Sequence, residues 1–468
     1  MFYDYLLNLK YFRSLIVGSI LFTLLIIYID AHYLLYSILF LFTTTIIFYR
    51  KDTFLFFVIV SLLTVVGDLS PSLRIVVQIM SYAGLSYLFL KKYGFVFDNY
   101  PKIPREVIYF ISLLYISMFV SSVFSKHVLT GFLQIIKIST LFYIVYLLYG
   151  LIESVKEIKI IISGLFTASV IMALSTIWQL FETGFNFLEL SESHHFRSSG
   201  LLSNVNAVAG YFVITVPVFI VLLFAEKTRR LKYCFIIIII INSLGLLIVS
   251  SRGGMLALLG SLIYIFSILK RKLLLIMMAI IFSIVLVIFI SPWGTYIQTL
   301  FRLEQGFSQR DYLWQLSLDM IKNNIFFGVG PGSWGTEMFN YFPVMLDSFQ
   351  GKLFIDLYGM TEGFNNSHNF YLVFFSDMGI LGFITAISLP IVYFRVGFKT
   401  INKIKKRNKN LYIMLIGAMA VGVAMFIRSF FEGISLITFG WLTVDLPFWI
   451  IFLIVIYVHQ NNENFITS

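Results

Sequence analysis

Three basic side chains occur where polar segments of the chain turn back into long apolar runs. His368 follows Ser367 and stands directly before the apolar stretch that begins at Phe370. A neutral imidazole accepts a proton from a hydroxyl near neutral pH. Arg252 and Arg197 have similar positions, and a guanidinium keeps its charge while giving a phosphate two parallel hydrogen bonds. These residue types predict a base and two anion-binding groups.

The surroundings of His368 favour the neutral ring. Ser367 or Asn366 can cap the helix that begins here, which predicts that His368 lies in its first turn. The helix dipole there disfavours the imidazolium, so the ring can act as a base. Two alternatives remain: His368 donates to an anion bound at the helix end, or it hydrogen-bonds a loop carbonyl at the edge of the apolar run.

Arg252 stands in a short turn, Ser-Ser-Arg-Gly-Gly at residues 250–254. The two glycines allow other groups to approach the backbone closely. The alternative is an arginine at a helix end that extends along the apolar surface to reach water. Arg197 precedes Ser-Ser-Gly in a loop that re-enters an apolar run, and its alternative is a solvated loop residue.

The composition requires membrane-spanning helices to position these residues. Hydrophobic residues make up 59% and charged residues 12% of the 468 residues, and the mean hydropathy is +0.92, which is typical of an integral membrane protein. Helices satisfy every backbone group within such spans. We predict an all-α polytopic membrane protein, one helical domain over residues 1–468, with about 14 transmembrane helices. The predicted centres lie near residues 21, 41, 60, 81, 115, 141, 170, 215, 241, 262, 282, 382, 420 and 448.

Basic residues set the orientation of these spans. Most of the 34 Lys and Arg residues fall in alternate loops, such as 227–232 and 395–409, which the positive-inside rule assigns to the cytoplasm. Both termini are then predicted to be cytoplasmic. The extracytoplasmic face receives two longer loops, about 182–204 and 291–367. The 291–367 loop lies between predicted spans 11 and 12, is rich in aromatic residues and has helical spacing over 311–323, which predicts a small cap over the bundle.

Several function classes are not favoured. The net charge of +11 lies mainly in predicted cytoplasmic loops, where attraction to anionic lipid accounts for it, so we expect no nucleic-acid partner. The single Cys234 excludes a disulfide framework, and the six His residues show no metal-ligand spacing, so we expect neither a catalytic metal nor a cofactor. A transporter or flippase should show an internal repeat or charge at the middle of its spans, and the sequence shows neither.

Four segments form a set. Residues 368–379 fit the pattern His, Asn, two residues, Leu, six residues, Gly. Residues 196–211, 250–254 and 310–334 carry three further motifs in a fixed order. Together they resemble the O-antigen ligase and Wzy-type O-antigen polymerase superfamily of bacterial envelope glycosyltransferases. The 196–211 segment departs from the family in having Ser-Asn-Val-Asn where many relatives have an Asn-Pro-Asn type turn.

The resemblance implies transfer of a glycan from a polyprenyl (undecaprenyl) diphosphate carrier to an acceptor hydroxyl. The reaction is expected on the outer face of the bacterial cytoplasmic membrane, with inversion and without a metal. The partners implied are this donor, membrane lipid, and a glycan or lipid A core acceptor. Ligase and polymerase both remain open, and the motif spacing favours the ligase. The catalytic candidates are His368, Arg252 and Arg197, and the substrate-binding candidates are Arg310, Asn369, Ser251 and Gly253.

Other polar residues receive local assignments. Arg428 and Glu432 are spaced i, i+4 and are predicted to pair with each other. Asp377 is a candidate for orienting the site rather than acting as its base. Arg310 contacts either substrate or an acidic neighbour. The glycine-rich segment 328–334 is predicted to be a rigid turn, with an anion-binding nest as its alternative.

Overall fold

The computed structural model describes residues 71–182, 198–202, 204–290, 310–341 and 366–461, and all its regular elements in these ranges are helices. The first eight are α1 (Pro71–Tyr93), α2 (Arg105–Phe124), α3 (Val128–Leu151), α4 (Val155–Glu182), α5 (Val205–Ala225), α6 (Arg229–Val249), α7 (Arg252–Leu269) and α8 (Arg271–Ile290). The others are α9 (Arg310–Asn323), the short α10 (Trp334–Glu337), α11 (Phe370–Ile404), α12 (Lys409–Arg428) and α13 (Leu442–Gln460).

Nine of the described helices, α2 to α7 and α11 to α13, are long and apolar enough to cross a membrane. The predicted all-helical, polytopic membrane fold is therefore confirmed. The predicted number of about 14 spans is not. Predicted spans centred near 21, 41 and 60 lie outside the described residues, and α1 and α8 cover the centres near 81 and 282 without being among the nine.

The centre of the bundle is formed by helices that are apolar on every side. In α13, 94% of the membrane-crossing window is buried, and in α5 and α12 the share is 78%, against 22% in α3. A helix without a polar face is stable when it is surrounded by other helices or by lipid. The buried helices therefore form the scaffold, and the less buried ones present apolar side chains at the surface of the bundle.

Helix α11 is interrupted at Gly379, which has φ of +61°. A Cβ at this position would stand 2.3 Å from the carbonyl oxygen of Phe326, so the close approach requires glycine. The Ile380 N–H donates to the carbonyl of Ile325 at 2.9 Å. Residues 380–404 alone reach roughly 37 Å at about 1.5 Å per residue, enough to cross the hydrocarbon core.

The start of α11 is held at the end of α12. The Phe370 N–H donates to the carbonyl of Ser429 at 2.9 Å. That bond is made by the part of α11 that precedes its break at Gly379. The residues just before Phe370 are thereby brought to the loop that joins α12 to α13.

Residues 310–341, called the cap below, have a small apolar core of their own. Its members are Leu313, Leu316, Met320, Val329, Trp334 and Met338. The Trp334 indole donates to the Ser317 hydroxyl at 2.8 Å. Helix α9 matches the helix predicted over 311–323. Leu318 is 48% exposed because it projects away from the buried face.

Candidate active site

The imidazole of His368 contacts a buried carboxylate. Its Nδ1 lies 3.0 Å from Oε2 of Glu432, whose side chain is 1% exposed, whereas that of His368 is 22% exposed. Because a carboxylate has no hydrogen to donate, Nδ1 carries the hydrogen of this contact. The neutral ring then has its basic nitrogen at Nε2.

Glu432 binds a second cationic side chain. Its Oε1 pairs with Nη2 of Arg310, so one carboxylate joins the start of α11 to the start of α9. Burial raises the pKa of the Glu432 carboxyl, but the interactions with His368 and Arg310, and then with Arg428, outweigh it and lower the pKa to about 2. Glu432 is therefore ionised near neutral pH.

The prediction that His368 lies in the first turn of its helix is wrong. The N-cap residue of α11 is Asn369, whose side chain accepts from the N–H groups of Tyr371 and Leu372. His368 precedes the cap with φ of +51°, and its N–H donates to Oδ1 of Asn366 at 2.8 Å. The contact with Glu432, not the helix dipole, therefore fixes the imidazole and its tautomer.

The predicted pairing of Arg428 with Glu432 is also wrong. Helix α12 ends at Arg428, so Glu432 is not one turn further along the same helix. The fully buried guanidinium of Arg428 donates instead to the carbonyls of Ile434 and Asn206. It thereby joins the loop of residues 429–441 to the first turn of α5.

The same 429–441 loop carries Glu432 and is fixed at two further points. The hydroxyl and N–H of Thr438 both donate to buried Asp445 in α13, the N–H at 2.6 Å. A Cβ on Gly433 would stand 2.9 Å from Oδ1 of Asn366, so the loop packs closely against the segment that precedes His368. These contacts fix the position of the loop that carries Glu432.

The turn at residues 250–254 packs against this loop. Helix α6 ends at Ser250, which has φ of +52°, and Arg252 is the first residue of α7. A Cβ on Gly253 would lie 3.1 Å from the Cβ of Phe431, the neighbour of Glu432. Half-buried Arg252 therefore projects from a turn that touches the loop beside the His368 contact.

Three other predicted site residues, Ser251, Asn369 and Gly253, have structural roles in this region. Ser251 caps α7 by accepting from the Gly254 N–H, as Asn369 caps α11. Both side chains therefore have structural contacts besides the predicted contact with substrate. Gly253 provides the close approach to the 429–441 loop that its lack of a side chain allows.

Arg197 lies outside the described residues, but the chain that follows it is anchored. Gln179 of α4 accepts from the hydroxyl of Ser198 at 2.6 Å and from the N–H of Gly200 at 3.0 Å. Its amide donates to the Gly200 carbonyl at 2.7 Å. The first described residue after Arg197 is thus attached to the end of a spanning helix.

Asp377 hydrogen-bonds the glycine-rich turn of residues 328–334. Its Oδ2 accepts from the Gly332 N–H at 2.8 Å, and its carbonyl accepts from Gly330 at the same distance. The Val329 N–H donates to the carbonyl of Ser376 at 2.9 Å. These bonds hold the glycine-rich 328–334 turn against the break in α11, so Asp377 positions the cap. The described residues contain no group of three His, Cys, Asp or Glu side chains placed to hold a metal ion.

Glu432 is the functional candidate that sequence reasoning missed. It was assigned to a local pair because Arg428 precedes it by four residues. The usable signal was its charge at the predicted end of a span, since ionisable residues at such places are commonly functional. Its partner His368 is 64 residues away in the chain, and no local pattern indicates that contact.

Residues 235–387 match the family model described as O-Antigen ligase. The matched segment includes the Arg252 turn, Arg310 and His368, and it ends before Glu432. No curated protein matches the chain. The nine apolar helices and this family together point to a protein of the bacterial inner membrane. Within residues 235–387, the match supports the predicted resemblance to the O-antigen ligase and Wzy-type polymerase superfamily.

Proposed function

We propose that this protein transfers a glycan from a polyprenyl diphosphate carrier to an acceptor hydroxyl, as an O-antigen ligase that uses lipid A core. The observation that carries the proposal is the shared contact of Glu432 with His368 and Arg310. Two family-like segments far apart in the chain meet there, and the third packs against the neighbouring residue Phe431. The description of the matching family as O-antigen ligase favours the ligase.

His368 is proposed as the base. Ionised Glu432 holds Nδ1–H, orients the ring and stabilises the imidazolium that forms when Nε2 takes a proton. A buried carboxylate beside a histidine plays the same part in serine hydrolases. The side chain of His368 is 22% exposed, so an acceptor hydroxyl can approach it.

The arginines are proposed to bind the diphosphate. Arg310 pairs with Glu432, and the turn that carries Arg252 packs against Phe431, so both bring positive charge to the 429–441 loop. Arg197 would add a third guanidinium. In the described part of the site, the acidic side chain is Glu432, which pairs with Arg310 and His368. The excess positive charge suits a substrate with a diphosphate, and such fixed cations can do the work that a metal does elsewhere.

The proposed reaction is a single displacement. The acceptor oxygen bonds to the anomeric carbon as its proton passes to Nε2 of His368. The bond between that carbon and the diphosphate oxygen breaks, and its electron pair leaves with the polyprenyl diphosphate. Attack opposite the leaving group inverts the anomeric centre. The imidazolium then releases its proton, which restores the base for the next transfer.

The site is proposed to face the outside of the membrane. The support is the distribution of basic residues, which assigns the opposite loops to the cytoplasm, with both termini. Helix starts at Arg252 and Phe370 and the end of α12 all lie at the proposed site end of the bundle. Donor lipid tails would lie between spanning helices, with the diphosphate at the level of the helix ends.

The test is transfer by purified protein in proteoliposomes. The donor is a polyprenyl diphosphate oligosaccharide with a radiolabelled glycan, supplied with or without lipid A core. We expect label on lipid A core, an unchanged rate with EDTA, and loss of product with Arg252→Ala. Longer glycans that remain on the carrier without lipid A core would identify a polymerase and contradict the ligase assignment. Absence of transfer under every condition, by protein that is folded, would contradict the whole proposal.

A further inference from the structure

The cap exposes three consecutive large apolar side chains beside the spanning helices. Ile325, Phe326 and Phe327 are 46%, 69% and 42% exposed. They follow α9 directly and precede the glycine-rich turn that is fixed to α11. Three such residues in a row are costly in water, at about 25 cal/mol per Å² of apolar surface. We therefore expect another apolar surface to cover these side chains.

On one side this segment continues the apolar surface of α11. Exposed isoleucines recur along that helix at helical spacing: Ile380, Ile384, Ile387 and Ile391. They form one stripe on the surface of a spanning helix, which is the surface that lipid covers. The Ile380 N–H at the top of the stripe donates to the carbonyl of Ile325 at 2.9 Å. The segment is thus attached where the lipid-facing stripe begins.

On the other side it continues the apolar surface of α2. Exposed apolar residues on this helix again share a face: Tyr109, Ile116, Phe119 and Val123. Phe124, at the end of the helix, is 63% exposed, and its ring stacks on Phe327 with centroids 4.3 Å apart and an angle of 20°. Two lipid-facing stripes therefore meet at the 325–327 segment.

Polar residues border the segment on its other edge. Lys322 is 74% exposed and pairs with Asp319 at 2.9 Å on the surface of α9. Lys126 follows Phe124 by two residues and is exposed. Aromatic side chains next to lysines are typical of the level where hydrocarbon meets headgroups.

We propose that residues 325–327 insert into the outer interface of the bilayer and anchor the cap to lipid. The partner is the boundary between acyl chains and headgroups, reached by continuation of the two helix surfaces. Anchoring would keep the cap at the depth where the headgroup of a lipid-linked substrate lies. The inference does not depend on which glycan is transferred or whether transfer occurs.

The test starts from a background without cysteine, made by Cys234→Ser, which removes the single native cysteine. In that background, Phe326→Cys carries a nitroxide label, and the protein is reconstituted in phosphatidylethanolamine and phosphatidylglycerol vesicles. Collision with oxygen, which concentrates in lipid, and with a water-soluble nickel chelate gives the depth of the label. Ile384→Cys is the control in the span, and Lys322→Cys is the control in water.

We expect the label at 326 to collide more with oxygen and less with nickel than the label at 322, at a depth between the two controls. Equal accessibility at 326 and 322 would place the segment in water and overturn the proposal. Low collision with both agents would show that protein covers it, from this chain or a second copy, and would also overturn it. Phe327→Cys repeats the test if the first variant does not fold.

Discussion

Two histidine–glutamate pairs occur among the described residues, and their surroundings differ. His368 contacts Glu432 at 3.0 Å, and His127 contacts Glu337 at 2.7 Å. Both histidines stand at the start of a helix, and both carboxylates come from a distant part of the chain. The two histidines are also similarly exposed, at 22% and 26%.

The difference lies in the other oxygen of each carboxylate. In Glu432 it binds Arg310, whereas in Glu337 it accepts from the neutral amide of Asn340 at 2.9 Å. Glu432 also lies beside the Arg252 turn. His127 instead joins the turn between α2 and α3 to the cap.

A histidine next to a carboxylate is therefore not by itself evidence of a catalytic base. The charge around the pair separates the two cases, because a diphosphate requires several cations within reach. Among the described residues, Lys126 is the further cation that lowers the pKa of Glu337 in the His127 pair. We interpret the His127 pair as a contact that holds the cap and the His368 pair as the proposed catalytic group.

The largest effect is expected for His368→Ala. Removal of a general base commonly costs about 10²–10⁴ in rate. We expect a loss of glycan transfer in this range, with an unchanged thermal midpoint within a few degrees. Initial rates in proteoliposomes measure the first quantity and fluorescence-detected size exclusion after heating the second. A rate close to that of the wild type would remove His368 from the mechanism.

Arg252→Ala is expected to rank next. Loss of a charge that stabilises the departing diphosphate should lower the rate by roughly 10²–10³. Arg252→Lys should restore part of it, since lysine keeps the charge but not the planar fork. Arg271→Ala is the matched control, because Arg271 opens α8 as Arg252 opens α7. If the Arg252 and Arg271 variants lose equal activity, a general need for charge at helix ends would replace the proposed role.

Glu432→Gln tests whether the carboxylate positions the base. The amide keeps the volume but cannot hold both Arg310 and His368 by charge, and small displacements of a reacting group cost on the order of 10² in rate. Glu337→Gln should change the rate by less than about threefold, since its pair is assigned to the cap. Equal losses in the two variants would abolish the distinction between the pairs.

His127→Ala should leave transfer within roughly twofold of the wild type. It removes the partner of Glu337 and should lower the thermal midpoint by a few degrees because the cap loses a buried contact. Rate and midpoint are measured in the same preparations as for His368→Ala. A loss of transfer as large as that of His368→Ala would mean that the second pair also takes part in the reaction.

The smallest effect concerns pH. Burial raises the pKa of Glu337, but hydrogen bonds from Asn340 and His127 outweigh it and leave the pKa below its ordinary value. The stabilisation is therefore complete above the ordinary carboxyl range and is lost as pH falls through the lowered pKa. The difference in midpoint between the wild type and Glu337→Gln should shrink in acid and persist at pH 7. An opposite trend would contradict the assignment.

Hydropathy predicted the spanning helices because a membrane leaves the backbone few alternatives. It also placed Arg252 at the junction of two spans, where the structure has it as the first residue of α7. The sequence pattern from His368 to Gly379 has a physical basis in the structure. Asn369 is the N-cap residue of α11, and Gly379 supplies the left-handed backbone against which the cap of residues 310–341 packs.

What the sequence could not supply was long-range. Next to the N-cap residue Asn369, the Phe370 N–H donates to the carbonyl of Ser429, and this contact joins distant segments. The predicted pairing of Arg428 with Glu432 assumed that one helix carries both residues, whereas α12 ends at Arg428, four residues before Glu432. Local spacing cannot reveal a helix that stops four residues early.

Donor binding by His368→Ala tests the central claim most directly, because it separates a base from a group that binds the diphosphate. The measurement is the Kd of a fluorescent polyprenyl diphosphate oligosaccharide for the wild type and the variant in nanodiscs, beside the transfer rate. We expect a Kd within about threefold of the wild type together with loss of transfer. A Kd that weakens in proportion to the rate would contradict the account and assign His368 to the diphosphate.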